Sequence, residues 1–396
     1  MPSSTATQLI DTAETLTAFC ADLVTCPWLA IDTEFLREKT YYPQFCLMQI
    51  ASAEVAACID PIKLRSLAPL EKLLFDDRII KVFHAGRQDL EILYHLFERI
   101  PQPIFDTQLA APLLGFPEQI GYAGLIQELL GITLAKSHSR TDWSRRPLSP
   151  EQLHYASDDV TYLAAAYPKM VERLKRLNRL DWLKSDCEDL TDPALYRNPP
   201  ELAWQRIGGA HLLKGFALAV LQDLAAWREN AARTENLPRG WIVKDEVLLD
   251  IARQQPRSHT ALSLVRGLDE KTLRRHGNAI CNVIAKAFDA PHRDMTAAPP
   301  PPGKRTVEQE ALIDVLSGIV RLRAAANTLN PAIIANRKDL AKLLDGDPDT
   351  KLLQGWRRQM VGHELEALAQ GRAALTVRDG QLEIDRREPH HSFATN

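Results

Sequence analysis

The chain has 396 residues, 45% of them hydrophobic and 25% charged, with a formal net charge of -3. That length calls for two or three domains, the composition is that of a globular protein, and a charge so close to zero confines any polyanion-binding surface to local patches. No stretch approaches the roughly 20 apolar residues of a membrane span, "MPSSTATQLIDTAETL" lacks a secretory pattern, and the six cysteines form no C-x-x-C pair, so a cytoplasmic protein with reduced thiols and no membrane association is expected.

Strand-like and helix-like segments alternate through the first half. "WLAIDTEF" reads as a strand, "QFCLMQIAS" and "VAACIDP" as its hairpin partners, and "IIKVFHAG" as a further short strand. Helical patterns follow in "RSLAPLEKLLFD", "RQDLEILYHLF", "DTQLAAPLLG", "GYAGLIQELLG" and the long "SPEQLHYASDDVTYLAAAYPKMVERLKRL". This alternation predicts an α/β domain over residues 1–195. From about 200 the chain reads as helix upon helix, in one unit over 200–290 and a second over 304–385. The two units share a weak internal repetition. Between them, 291–303 carries the proline run of "TAAPPPPPGKRT", which predicts a semi-rigid spacer and leaves the position of the last unit open. Residues 386–396 read as a disordered tail.

Asp32 and Glu34 alternate on the first strand, so both carboxylates face one side. At about 4 Å and an effective dielectric near 20 their repulsion is roughly 4 kcal/mol, which asks for a cation between them unless they merely end a strand in solvent. Asp89 opens a helix after the turn "HAGRQ", where the helix dipole favours an acid anyway, and Asp106 is expected to cap the helix of "DTQLA". Asp159 lies one turn after Tyr155, on the same helix face. Acids on separate elements suit a two-metal site for phosphoryl transfer, although spacing alone does not show that they converge.

"AIDTEFLREKTYYPQFCLMQIA", "KVFHAGRQDLEIL" and "HYASDDVTYL" resemble the three exonuclease motifs of the DEDD 3′–5′ exonuclease superfamily, and with "DWSRRPLSPEQLHYA" they resemble the ribonuclease D family within it. Residues 200–290 resemble an HRDC domain, and 304–385 its more diverged second copy. The resemblance implies a ribonuclease H-like fold with a mixed central sheet followed by two all-α HRDC-type domains. It implies two divalent ions, Mg²⁺ or Mn²⁺, on Asp32, Glu34, Asp89 and Asp159, with Tyr155 as a catalytic residue. The implied reaction is hydrolysis of RNA from its 3′ end to 5′-mononucleotides, with transfer-RNA precursors as expected substrates and a monomeric enzyme. A DNA exonuclease and a non-catalytic nucleic-acid scaffold stay open beside it.

Both Tyr155 and His154 can be read as the water-positioning residue ending on Asp159. The rest of the chain resembles the tyrosine branch, so Tyr155 is favoured. RNA contacts are expected from Thr33 and from "KSHSRTDWSRRPL", where Lys136, His138, Arg140, Arg145 and Arg146 surround Trp143, a pattern equally suited to a solvated loop anchored by the indole. Arg37, Lys39, Tyr41, Tyr42 and Gln44 are expected to border the same cleft. Lys271, Arg274, Arg275 and His276 mark a basic helix start in the first helical unit.

Overall fold

In a computed structural model, which describes residues 8–134, 141–289 and 305–386, the first half of the chain builds a six-stranded mixed sheet. Its elements are β1 (Gln8–Ile10), α1 (Ala13–Leu23), β2 (Trp28–Leu36), β3 (Gln44–Ala51), β4 (Ala56–Ile59), α2 (Ala68–Leu74), β5 (Ile80–Phe83), α3 (Arg87–Phe97), β6 (Ile104–Asp106), α4 (Thr107–Leu113), α5 (Tyr122–Leu130), α6 (Pro150–Arg176) and α7 (Leu180–Leu190). The strand order is β1-β4-β3-β2-β5-β6, with β2, β3 and β4 antiparallel and β5 and β6 parallel to β2. Two short strands, β1 and β6, lie outside the sequence reading. Each is three residues long, too short for alternation to register.

Two features of this sheet open the site. β5 pairs with β2 only over Trp28–Ala30, so Asp32 to Leu36 run on past the end of their parallel neighbour. The β2–β3 register then shifts between Glu34 and Phe35, a bulge of the kind that re-aims side chains beside functional clefts. α6 crosses the sheet at this point. Ser149 and Gln152 form a capping box with Pro150 in the first turn, and Val160, Leu163 and Met170 are buried beneath the helix.

The first helical unit contains α8 (Gly215–Glu235), α9 (Arg239–Ile242), α10 (Asp245–Gln254), α11 (His259–Leu262) and α12 (Glu270–Asp289). It has its own core, including Leu221, Leu224, Leu248, Ile251, Ile280 and Ile284. The second contains α13 (Val307–Ala326), α14 (Pro331–Ile334), α15 (Arg337–Leu344), α16 (Gly355–Arg357) and α17 (His363–Ala369). A π turn at Arg358–Gly362 joins α16 to α17, and there a Cβ on Gly362 would lie 1.9 Å from the Leu352 carbonyl oxygen. Both units run long helix, four-residue helix, short helix; the long and short helices match the repetition read in the sequence, and the four-residue helices lay outside that reading.

The second unit is not purely helical. β7 (Ala373–Arg378) and β8 (Gln381–Arg386) form an antiparallel hairpin around Asp379-Gly380, both with positive φ. An Asp-Gly turn between alternating residues is a strong hairpin signal, and "TVRDGQLEI" carries it. Arg386 therefore ends a strand, the rest of the expected tail lies outside the described residues, and so does the expected spacer.

The second unit also shares its core with the sheet domain. Val160, Tyr167, Met170 and Leu183 belong to one buried cluster with Leu316, Val320, Leu340 and Trp356. Trp182 stacks on Trp356 at 4.8 Å and 9°, and Arg357 makes a bidentate pair with Asp186 at 2.6 and 2.9 Å.

Candidate active site

Asp32 and Glu34 project from β2 toward α6, where Asp159 meets them. One carboxylate oxygen from each of the three lies within 4.8 Å of the others. Asp89 reaches the same region from α3 and adds its charge to those acting on Asp32 and Glu34. It is buried and accepts the Thr33 hydroxyl at 2.5 Å. No ion pair reaches any of the four acids among the described residues.

Burial pushes all four carboxyls up, and neighbouring acids add to it. Glu34 is raised to about 8 by burial and then by Asp159 and Asp89. Asp159 rises to about 7 by burial and Asp158. Asp89 rises to about 6 by burial, against the lowering effect of the Thr33 hydroxyl. Asp32 lies well above the carboxylate range through burial and the charges of Asp89, Asp159 and Glu34. An all-oxygen donor set short of positive charge fits a hard divalent cation.

The turn that presents Asp89 is held from below. Ala85 has φ of +57°, a costly conformation for a residue with a Cβ. Asp106 accepts the N–H of Ala85 at 3.2 Å and of Gly86 at 2.8 Å while also capping α4, its expected role. A Cβ on Gly86 would lie 2.5 Å from that of Phe83, so this corner admits only glycine without movement.

Tyr155 lines the cleft, about 460 Å³ in volume, with Asp32, Glu34 and Asp159. Burial and those carboxylates raise its phenol to about 12, so it stays protonated as a hydrogen-bond donor. His154 points away. Its side chain is 76% exposed, with Nε2 3.7 Å from Asp158. Two cleft residues escaped the sequence reading. The Tyr122 hydroxyl bonds the main-chain carbonyls of Asp158, at 3.0 Å, and Asp159, holding α6 in place. His84 lies against Tyr122 with Nδ1 2.9 Å from the Thr107 hydroxyl. No local pattern distinguishes these two, because they act through contacts distant in sequence.

Several expected RNA contacts are internal instead. Trp143 is 2% exposed and stacks behind Tyr155 at 6.2 Å and 30°, so its indole offers no face to a base. Arg146 grips the buried Asp60 at 2.6 and 2.9 Å and donates to the carbonyls of Trp143 and Cys46, which makes it an anchor of its own loop. The Thr33 hydroxyl is taken by Asp89. Arg145 is exposed and pairs with Asp142. Lys136, His138 and Arg140 lie outside the described residues. On α12, Lys271 and Arg274 are exposed, while Arg275 pairs with Glu235 at 2.6 Å and His276 is buried.

Residues 7–175 match the 3′-5′ exonuclease family and residues 217–284 the HRDC domain. The chain is 42% identical to ribonuclease D of Sphingobium indicum over 96% of its own length and 98% of the relative's. It is 38% identical to ribonuclease D of Granulibacter bethesdensis over 95% and 96%. Among solved structures, Escherichia coli RNase D, described as an exoribonuclease involved in structured RNA processing, superposes with a TM-score of 0.83 at 31% identity, covering 93% of this chain and 99% of that one. Identity of this extent over nearly the whole of both chains, with the exonuclease and HRDC matches in this order, places the chain in the ribonuclease D family of 3′–5′ exoribonucleases.

Proposed function

We propose that Asp32, Glu34, Asp89 and Asp159 hold a pair of Mg²⁺ or Mn²⁺ ions, and that the enzyme removes 5′-mononucleotides from the 3′ ends of structured RNAs, transfer-RNA precursors among them, as a monomer in the cytoplasm. The observation that carries this reading is the convergence of three carboxylates within 4.8 Å with no ion pair to any of them among the described residues. Bound there, such ions supply charge neutralisation at the scissile phosphate and a water acidic enough to attack at neutral pH.

The chain's own side chains do the positioning. Tyr155, protonated and backed by Trp143, donates a hydrogen bond that orients the attacking water or the phosphate oxygen. Thr33 fixes the Asp89 carboxylate, and Tyr122 fixes the main chain of α6 at Asp159. The structured-RNA substrate rests on similarity to the Escherichia coli enzyme.

The test is a 5′-labelled RNA incubated with Mg²⁺ or with EDTA. Stepwise shortening from the 3′ end is expected only with metal, and Asp32→Asn should remove it. Cleavage that persists in EDTA overturns the metal reading. Light scattering checks the oligomeric state.

A further inference from the structure

The β2–β3 loop carries Tyr41 and Tyr42, and it begins three residues, roughly 10 Å, past Glu34 on the strand that holds Asp32 and Glu34. It does not hang free. The N–H groups of Tyr41 and Tyr42 both donate to Asn236 Oδ1, at 3.1 and 3.2 Å. The Tyr41 hydroxyl meets Glu229 of α8, and Arg239 lies over the Tyr41 ring at 4.9 Å. The first helical unit therefore holds this loop in one conformation next to the cleft.

Between the two domains lies a second cleft of about 360 Å³, lined by Tyr42, Tyr94, His95, Arg197 and Arg233. The Tyr42 ring stands edge-on to those of Tyr41 and His95, at 4.7 and 4.9 Å. Arg197 is exposed, donates from Nε to the Tyr94 hydroxyl at 3.0 Å, and forms no ion pair among the described residues. Behind it, the buried Glu229 faces three guanidinium groups, those of Arg206, Arg233 and Arg239, at 3.9, 3.8 and 2.5 Å. Asp192 acts on Arg197, and Glu91 beside His95 is paired by Arg37, so the guanidinium groups still outnumber the carboxylates at this junction in a chain whose net charge is -3.

We infer that this aromatic, cationic cleft is a docking site for the single-stranded stretch of RNA upstream of the three nucleotides nearest the acids, with Tyr42 offering a stacking surface and Arg197 a phosphate contact. The assignment rests on the exoribonuclease reading of the neighbouring acids and adds to it a site of different chemistry. Aromatic rings beside an exposed guanidinium group, here that of Arg197, suit a strand of stackable bases and phosphates, and their tolerance of sequence suits an enzyme that must step along any 3′ end. Anchoring by Asn236 and Glu229 pre-pays the ordering of the loop.

The experiment measures binding of the full-length chain to dye-labelled RNAs of three and fifteen nucleotides by anisotropy, in EDTA, over a range of salt. Tyr42→Leu should weaken the longer RNA roughly tenfold with the salt slope unchanged, whereas Tyr42→Phe keeps the affinity. Arg197→Ala should also weaken it and lower the log–log salt slope by about 0.7, the loss of one single-strand phosphate contact. Neither should alter binding of the three-nucleotide RNA. Unchanged affinity for the longer RNA, or an equal loss for both lengths, overturns the docking site. Failure of the catalytic reading shows separately, as RNA left uncut by the wild-type protein in Mg²⁺.

Discussion

Neutralising Asp159 should stabilise the metal-free protein while destroying its activity. Asp159 ionises at about 7 in the fold, against an ordinary 3.8, because it is buried beside other acids. The folded state therefore binds more protons than the unfolded chain between those values, and stability falls as pH rises through that window. Above about pH 7 the deficit is complete. At 1.36 kcal/mol per pKa unit, a difference of about three is worth roughly 4 kcal/mol. The amide of Asp159→Asn still has to be buried, so about 2–4 kcal/mol should be recovered, or roughly 2–5 °C in Tm for a chain of this length. Thermal melts in EDTA at pH 8 and pH 5 test this, with the gap at pH 5 expected to be less than half that at pH 8. Mg²⁺ should reverse the order, since two ions, each at a hundredfold excess over its Kd, add about 5.4 kcal/mol to the protein that binds them. A variant that melts at or below the wild type in EDTA at pH 8 would refute the idea that these acids repel one another in a site awaiting cations.

Tyr155→Phe should lower single-turnover cleavage roughly 10²-fold by losing the orienting hydroxyl, while His154→Ala, on the exposed side of α6, leaves it within twofold or so. The opposite pattern reassigns the water-positioning role. Trp143→Ala should cost about 3–5 kcal/mol and lower turnover through Tyr155, read by urea melts beside kcat. Weaker RNA binding with unchanged stability would instead return Trp143 to the RNA surface. Arg357→Ala strands the half-buried Asp186 and loosens the second helical unit. It should cost about 3 kcal/mol and expose sites around α7 and α16 to limited proteolysis, and an unchanged digestion pattern would show that the shared core suffices alone.

Much of the site was legible because chemistry of this kind leaves local marks. Asp32 and Glu34 share a strand face by alternation, and Tyr155 and Asp159 share a helix face by the i, i+4 spacing. Asp106 was read correctly as a cap, yet its hold on the Ala85–Gly86 corner was invisible, because those partners are some twenty residues away. Trp143 and Arg146 misled for a related reason. An indole among arginines has the same composition whether it faces a nucleic acid or the protein interior, and only the position of Asp60 and Tyr155 decides between them.

By itself, then, the sequence determined the alternating α/β domain and the helical half, since each follows from periodicity within a short window, while the choice of acids came from the resemblance of their motifs to a known family. The tertiary structure alone decided where the pieces meet. It fused the second helical unit into the core of the first domain through Trp182 and Trp356, and it clamped the loop of Tyr41 and Tyr42 onto α8. It also gathered the carboxylates at the end of β5. Contacts between residues more than a hundred positions apart are set by three-dimensional packing and the burial of apolar surface, and no spacing along the chain encodes them.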